Sequence, residues 1–486
     1  MKKEKWLALI MSLLIVMIMA FSSCKKSTGV ESGSLSGESN TDSAQSGDTD
    51  SNIQSEETSD DGGLIKPPPA SSDTTKSGSG QNVSAQSGSS KGTSNKDPYA
   101  NIPASLKGKQ VKILLWYTPI KSEIAVMDDF KKKTGIDYKF TSTGGTDLYT
   151  TKLSSMIASG DSPDVVTMFS FAYPVLITKN LVQTIDAGKF DLSDPVWDKE
   201  QMDIFAWNNK YYGINIKGNF HADPYCVYYN KDIFASKGVK TPEQLRKEGN
   251  WNWDTMLKAA QDLTYETGGK KVWGYTSAKT YQFMLANNTD FVTFKDGKIT
   301  NNLNDSKVLS GWQFLADTIH KYKVNPGWKD SAFFTSGQCA MYAEISYGMQ
   351  KGSFLEGMKD GWSAVPFPGP KGADYVLPAD AKVFSLAKGA KNPEAAAYFL
   401  RYWLDPANMD IAGSLIQKEN KEVFDLLSNS KKKVMMSKGV ISFSNEFNDV
   451  TNALYNHSSD QTKSVLDSIN GMVNTSIKNV LNEMPK

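Results

Sequence analysis

The chain has 486 residues, of which 22 % are charged, and its 54 basic and 53 acidic residues leave a net charge of +1. A chain of this length allows two or three domains. The near-zero charge provides no large basic field, which argues against a nucleic-acid-binding protein.

The first 23 residues have the layout of a signal peptide. Three lysines within the first five residues precede an apolar run from Trp6 to Phe21, and Ser22 and Ser23 follow it. The apolar run is about 16 residues long, whereas a membrane-spanning helix needs about 20. We therefore predict that residues 1–23 are a cleaved export signal.

Cys24 directly follows this segment. The sequence up to Cys24 resembles the bacterial lipobox, in which the cysteine is acylated and becomes the new N-terminus. The resemblance implies a lipid attachment at Cys24. The alternative is an ordinary secretory signal that leaves a free thiol, which would be unusual in an exported protein.

Residues 24–105 are rich in Ser, Gly, Thr and acidic residues and contain almost no large apolar side chains. Such a composition cannot form a hydrophobic core. We predict a disordered acidic stalk, which as a flexible coil would reach on the order of 50 Å.

Beyond the stalk, the pattern predicts alternating strands and helices. Residues 111–117 form an apolar run typical of a buried strand, and a helix follows between a predicted N-cap at Ser122 and Gly135. A second helix over 147–159 precedes a strand over 165–169. This β-α-β order predicts an α/β fold with a parallel sheet.

Helical spacing of apolar residues continues through the rest of the chain. It predicts helices around Trp253 and from Val308 to Tyr322. Asn392 and Pro393 are typical of the start of a helix. Cys226 and Cys339 either pair or remain as buried thiols, because spacing alone does not show whether they approach each other.

Eight local patterns occur in order between residues 108 and 410 and together resemble family 1 of the extracellular solute-binding proteins, the sugar receptors of bacterial ABC importers. These patterns are DFKKKTGIDYKF (129–140), ASGDSPDVVTM (158–168), NNKYYGI (208–214), CVYYNKDIFASKGV (226–239), NWNWDTMLKAAQDLT (250–264), FFTSGQCAMYAE (333–344), VPFPGP (365–370) and LAKGAKNPEAAAYFLRYWLDP (386–406).

The resemblance implies the type II fold of periplasmic binding proteins, in which two α/β lobes are joined by crossover hinges and close around a ligand. Aligned on these patterns, lobe one comprises residues 106–221 and 367–408, and lobe two comprises residues 222–366 and 409–486. Asn230 and Asp232 are interpreted as residues that turn the chain and cap a helix.

Candidate ligand contacts follow from two arguments. In α/β folds, ligands lie beyond the carboxyl ends of the strands, which selects residues after the first and second predicted strands. The resemblance adds the first crossover, a lobe-two segment that faces the cleft, the residues after the CAM motif and the return into lobe one. The first argument selects Trp116, Tyr117, Thr118, Phe169, Ser170 and Tyr173, and the second selects Asp223, Tyr281, Phe283, Glu344, Tyr347 and Asp380.

No catalytic motif accompanies these residues. The sequence has no G-x-S-x-G elbow, phosphate-binding loop, H-E-x-x-H or C-x-x-C, and His221, His320 and His457 are far apart. We expect no enzyme activity, no cofactor and no metal. A surface glycoside hydrolase is the alternative, because it needs only two neighbouring carboxylates.

Together these features predict a monomeric lipoprotein on the outer face of the cell membrane. It would capture a carbohydrate, most simply an oligosaccharide, by hinge closure and deliver it to the permease subunits of an ABC importer. Flat aromatic rings and hydrogen-bonding carboxylates or amides are the groups that recognise a neutral sugar in a dry cleft.

Overall fold

The computed structural model describes residues 97–219, 223–358, 361–373, 376–441 and 447–486. The described residues all belong to one compact unit. The predicted signal peptide, the acylation at Cys24 and most of the predicted stalk lie outside the described residues.

The described ranges contain the strands of two larger sheets, three short hairpins and one two-stranded parallel pair. The strands are β1 (Gln110–Leu115), β2 (Asp137–Ser142), β3 (Val165–Phe169), β4 (Val182–Gln183), β5 (Ala206–Trp207), β6 (Lys210–Tyr211), β7 (Tyr225–Asn230), β8 (Tyr265–Thr267), β9 (Lys270–Val272), β10 (Thr276–Ser277), β11 (Val292–Lys295), β12 (Lys298–Asn301), β13 (Met341–Ile345), β14 (Trp362–Pro366), β15 (Leu377–Ala379), β16 (Lys382–Ala387) and β17 (Lys432–Val434).

Helices pack on both sheets, and helices also form the C-terminal part of the chain. The α-helices are α1 (Lys121–Thr134), α2 (Tyr149–Ala158), α3 (Tyr173–Thr178), α4 (Lys199–Ile204), α5 (Lys231–Lys237), α6 (Pro242–Lys247), α7 (Trp253–Asp262), α8 (Gln282–Ala286), α9 (Ser306–Ala316), α10 (Ser331–Thr335), α11 (Pro393–Trp403), α12 (Ile411–Ser414), α13 (Lys421–Asn429), α14 (Ser437–Ile441), α15 (Phe447–Asn456) and α16 (Thr462–Glu483).

Lobe one is built on a five-stranded sheet in the order β2-β1-β3-β16-β4. Strands β1, β2 and β3 are parallel, whereas β16 runs antiparallel to β3 and β4. All five residues of β3 are buried, as expected for a strand covered by helices on both faces. The predicted α/β fold is therefore present, but the sheet is mixed, because β16 runs against the parallel strands.

Most of the residues predicted to begin or end a helix do so in the structure. The Asn230 side chain accepts hydrogen bonds from the backbone of Asp232 and Ile233, and so caps α5. Gly135 ends α1 with a φ of 72°, which an L side chain rarely adopts. The predicted cap at Ser122 is wrong, because α1 begins at Lys121 and the Glu123 side chain accepts from the backbone N–H of Ile120.

Lobe two is built on a four-stranded sheet in the order β10-β13-β7-β14. Strand β7 is buried throughout and runs antiparallel to both neighbours, while β10 and β13 are parallel. Cys226 on β7 and Cys339 before β13 are buried free thiols, so the two do not pair. Burial raises the pKa of the Cys226 thiol to about 12.

The C-terminal helices contact both lobes. Helices α15 and α16 pack against α9 of lobe two, while α14 packs against α3 of lobe one. At the end of the chain, the Trp207 indole N–H of lobe one donates to the Pro485 carbonyl at 2.8 Å, and the Asn208 side chain donates to the same oxygen. The C-terminal segment thus connects the two lobes on one side.

Residues before 106, the predicted start of lobe one, also contact this lobe. The Tyr99 ring packs edge-on against Tyr402 of α11 with 5.0 Å between ring centroids. Leu106 is buried in the core of the same lobe. Residues 97–105 therefore pack against lobe one instead of forming the end of a stalk.

Candidate functional site

A cavity of about 280 Å³ lies where the two lobes and the first crossover meet. Its walls come from the loop after β1, the N-terminal part of α1, the crossover residue Asp223, the segment around the end of β13, and the start of β16. The lining residues are Trp116, Tyr117, Thr118, Ile120, Glu123, Asp223, Ile345, Tyr347, Gln350 and Lys382.

A larger depression of about 570 Å³ lies between α5, α6 and α7 on the outside of lobe two. Lys237, Lys240 and Lys258 contribute to its rim, and it contains neither a crossover residue nor a residue of lobe one. Because ligands of α/β folds bind beyond the carboxyl ends of the strands, the smaller cavity is the better candidate site.

The centre of the cavity contains an ion pair between Asp223 and Lys382. The Lys382 Nζ lies 2.5 Å from the Asp223 Oδ2, and the two side chains are only 6 % and 16 % exposed. Burial raises the pKa of Asp223, while the charge of Lys382 opposes that rise. Lys382 also lies over the Trp116 ring, 5.8 Å from its centroid. This pair connects the first crossover to the first residue of β16.

A second polar contact fixes the aromatic loop after β1. The Tyr117 hydroxyl donates to Glu123 Oε1 at 2.5 Å, and Glu123 Oε2 accepts from the backbone N–H of Ile120. Burial raises the pKa values of both Tyr117 and Glu123. The Tyr117 ring is therefore held in place at the cavity wall before any ligand arrives.

Tyr281 and Asp380, both predicted as ligand contacts, bind each other behind the cavity. The Asp380 carboxylate accepts hydrogen bonds from the Tyr225 hydroxyl at 2.7 Å and from the Tyr281 hydroxyl at 3.1 Å. The Asp380 backbone N–H donates to the carbonyl of Asp223 at 3.2 Å. These contacts connect β7 to the two segments that cross between the lobes, at Asp223 and at Asp380. The side chains of Tyr281 and Asp380 are not part of the cavity lining.

Glu344, another predicted contact, lies near the end of β13 next to this network. Its Oε1 accepts from the backbone N–H of Ile345 at 2.9 Å. Burial raises the pKa of the Glu344 carboxyl to about 7, and the nearby carboxylates of Asp380 and Asp223 add to the rise. A carboxyl group at the edge of the cavity therefore titrates near neutral pH.

Replacing Glu344 with glutamine is expected to flatten the dependence of stability on pH. The ordinary pKa of 4.5 applies to the unfolded chain, so between pH 4.5 and about 7 only the folded protein keeps the proton. Stability should fall as pH rises through this window and level off above it. Melting temperatures from pH 5 to 8 should show Glu344→Gln matching the wild type at pH 5 and exceeding it at pH 8.

The matched control for this measurement is Glu266→Gln in the exposed β8–β9 hairpin, which should keep the wild-type pH profile. Parallel profiles for Glu344→Gln and the wild type from pH 5 to 8 would show that the Glu344 carboxyl is not perturbed.

Four other predicted contacts lie in the protein core or beside the cavity. Phe283 is a core residue and does not face the cleft as expected, because its ring is enclosed by Trp253 and Phe367. Tyr173 is fully buried, and its hydroxyl donates to the carbonyl of Ala206. The structure thus corrects the expected position of both side chains.

Phe169 and Ser170 occupy intermediate positions at the end of β3. Phe169 packs edge-on against Trp116 with centroids 5.8 Å apart and stacks on Phe171, so it supports the cavity wall from behind. Ser170 is buried, and its backbone N–H donates to the carbonyl of Ala381. Neither residue lines the cavity.

Five predicted residues do line the cavity together: Trp116, Tyr117, Thr118, Asp223 and Tyr347. Sequence reasoning missed five others: Ile120, Glu123, Ile345, Gln350 and Lys382. The sequence held no signal for Lys382, because its place at the cavity depends on β16 running antiparallel to the parallel strands, so that β16 begins where they end. In the structure, Lys382 is paired with Phe169, the last residue of β3.

Metal-ligand clusters and histidines were the other candidate features of a site. Within these ranges, no group of three or more His, Cys, Asp and Glu side chains could hold a metal ion. His320 and His457 contact backbone carbonyls near α15, away from the cavity, and His221 lies outside the described residues. In the part of the chain that the structure describes, no helix is long and apolar enough to cross a membrane.

Two lobes and, between them, a largely apolar cavity with aromatic walls and one buried ion pair define a class of binding protein. The chain belongs to the bacterial extracellular solute-binding protein family, whose model matches residues 118–410, more than half of its length. The predicted family membership and the two-lobed type II fold are therefore confirmed.

The curated relatives that match the chain are distant in sequence. The sn-glycerol-3-phosphate-binding periplasmic protein UgpB of Brucella abortus is 25 % identical over 206 residues, which are 39 % of this chain and 46 % of the relative. The chain thus matches about half the length of that relative.

Solved structures resemble the chain over more of its length. The substrate-binding protein Lmo0181 of Listeria monocytogenes, in complex with cycloalternan, is 18 % identical with a TM-score of 0.54 and covers 76 % of this chain and 98 % of its own. The cyclic α-maltosyl-1,6-maltose binding protein of Arthrobacter globiformis is 15 % identical with a TM-score of 0.58, covering 76 % and 99 %. At these identities the likeness establishes the fold alone.

Proposed function

We propose that the protein is the substrate-binding lipoprotein of an ABC importer, which captures a carbohydrate between its lobes and delivers it to the permease. The observation that carries the proposal is the composition of the cavity. Trp116, Tyr117 and Tyr347 provide aromatic surfaces, and Asp223 and Lys382 provide charged hydrogen-bonding groups between them. Aromatic faces combined with a few fixed polar groups suit a sugar ring.

Tyr347 is the clearest candidate for a ring that stacks on the ligand. It is 39 % exposed although it lines the cavity, and its hydroxyl donates to the carbonyl of Gly352 at 2.9 Å, which orients the ring. It lies on lobe two, whereas Trp116 and Tyr117 lie on lobe one. Closure of the lobes would therefore bring aromatic surfaces onto a ligand from both sides.

Export and membrane attachment are part of the proposal. The family is extracellular, and the sequence up to Cys24 is of the kind that is acylated after export. The lipid would hold the receptor at the outer face of the membrane, and the receptor would act as a monomer. The mass of the N-terminal peptide from membrane-extracted protein tests this part, and an unmodified Cys24 would contradict it.

Calorimetry with a glycan panel that includes cycloalternan, maltotriose and mannobiose tests the main proposal. We expect saturable binding, a ligand-dependent rise in melting temperature and recovery of the glycan unchanged. Tyr347→Ala should weaken binding by about tenfold, because a stacking surface is lost, with little change in melting temperature. The control Tyr265→Ala, in the β8–β9 hairpin, should bind like the wild type.

Two outcomes would contradict the proposal. If no glycan binds or shifts the melting temperature, the protein is not a carbohydrate receptor. If the glycan is cleaved during the measurement, the protein is instead a glycoside hydrolase, for which the Glu344 carboxyl with a pKa of about 7 would be the first candidate acid.

A further inference from the structure

Trp328 is a large aromatic residue that the cavity does not explain. Its side chain is 58 % exposed, compared with 39 % for Tyr347 in the cavity. It ends a segment that runs beside β10, where the backbone N–H of Tyr275 donates to the Val324 carbonyl and the Thr276 hydroxyl donates to the Gly327 carbonyl. This segment therefore extends in the same direction as β10.

The ends of β10 and β13 lie at the same edge of the lobe-two sheet. The strands are parallel, Ser277 is paired with Ala343, and the backbone N–H of Ala278 donates to the Ala343 carbonyl at 3.2 Å. The next residues of β13 are Glu344 and Ile345, and Ile345 lines the cavity. Trp328 therefore lies at the cavity edge of the sheet, about 10 Å or two strand spacings from the end of β13.

The indole of Trp328 is held in position. Its Nε1–H donates to the carbonyl of Ala278 at 2.8 Å, and its backbone N–H donates to the Tyr455 hydroxyl. A fixed aromatic ring loses little conformational freedom when a ligand stacks on it. The surface between Trp328 and the cavity is polar, because Lys279 follows Ala278 and its charge acts on Glu344.

We propose that Trp328 is a second aromatic platform of the binding site, and that the ligand is an extended oligosaccharide. One ring would occupy the cavity against Trp116 and Tyr347, and the chain of sugars would continue past Lys279 and Glu344 until a later ring stacks on Trp328. A single sugar ring held in the 280 Å³ cavity would not touch Trp328, which is not one of the lining residues. The inference rests on the proposed carbohydrate function and makes it more specific.

The test compares ligands of increasing length. Calorimetry of the full chain is performed with glucose, maltose and maltotriose and with mannose and mannobiose, using the wild type, Trp328→Ala and Trp328→Phe. In the series that binds, Trp328→Ala should weaken the longest sugar by about tenfold and the monosaccharide by less than about twofold. Trp328→Phe should restore most of the loss, and Leu481→Ala, which removes an exposed apolar residue on α16, should have no effect.

The outcomes separate this inference from the proposed function. Suppose that the wild type binds, and that Trp328→Ala either lowers the affinity for sugars of every length equally or leaves all the affinities unchanged. The platform is then rejected, while the carbohydrate function stands. If the wild type binds neither series, the platform is overturned. The broader glycan panel then decides the carbohydrate function by itself.

Discussion

Replacing Asp223 with alanine is expected to weaken carbohydrate binding by about 100-fold and to lower the free energy of unfolding by about 3 kcal/mol. The reason is that Lys382, 6 % exposed, would lose its partner and remain as an uncompensated charge beside Trp116. Binding would suffer because Asp223 is the polar group of the first crossover that faces the cavity. Calorimetry and urea unfolding measure the two effects.

The double variant Asp223→Ala, Lys382→Met separates the two contributions. Removing both charges should recover most of the lost stability, because no unpaired charge remains, but should not recover binding. If Asp223→Ala leaves binding unchanged while stability falls, the ion pair only joins the crossover to β16 and does not contact the ligand. If the double variant is as unstable as the single one, the charge of Lys382 is not the cause.

Replacing Asp290 with alanine is expected to lower the free energy of unfolding by about 3 kcal/mol and to loosen the start of α14. Asp290 is buried, and its carboxylate accepts hydrogen bonds from the backbone N–H groups of Met436 and Ser437 and from the Ser437 hydroxyl. Alanine would leave these donors without acceptors in the core. Urea unfolding and hydrogen exchange of residues 435–441 measure the effects.

Ser437→Ala provides a graded comparison, since it removes one of these hydrogen bonds and should cost about 1 kcal/mol. Asp467→Ala on α16 loses only an exposed ion pair with Lys463 and should change stability by less than about 0.5 kcal/mol. Faster exchange throughout the protein, without a larger change at residues 435–441, would show that Asp290 contributes to stability without anchoring α14.

The position of the site was predictable in part from strand direction, which was right for the residues after β1 but not for those after β3. The carboxyl ends of parallel strands meet at one edge of a sheet, so the residues after β1 could be placed at the ligand without coordinates. Trp116, Tyr117 and Thr118 accordingly line the cavity. Asp223 and Tyr347 came from the family resemblance, and they also lie there.

The parts that could not be predicted depend on how elements pack. Phe283 lies in a segment expected to face the cleft, but α8 is buried on all sides, so its ring lies in the core. The position of Lys382 at the cavity could not be predicted without knowing that β16 runs antiparallel to β3. The family resemblance assigned residues 409–486 to lobe two, but it gave no sign that α14 also contacts α3 of lobe one.

The two buried thiols make the protein suited to site-specific labelling. Cys226 and Cys339 are both 0 % exposed, and burial raises the pKa of each, so neither would react readily with a maleimide dye. In a chain with Cys24→Ser, cysteines introduced at Leu148 on lobe one and Leu426 on α13 would occupy positions that are 67 % and 39 % exposed. Energy transfer between two dyes at these positions would then report the opening and closing of single molecules, without removal of either natural core thiol.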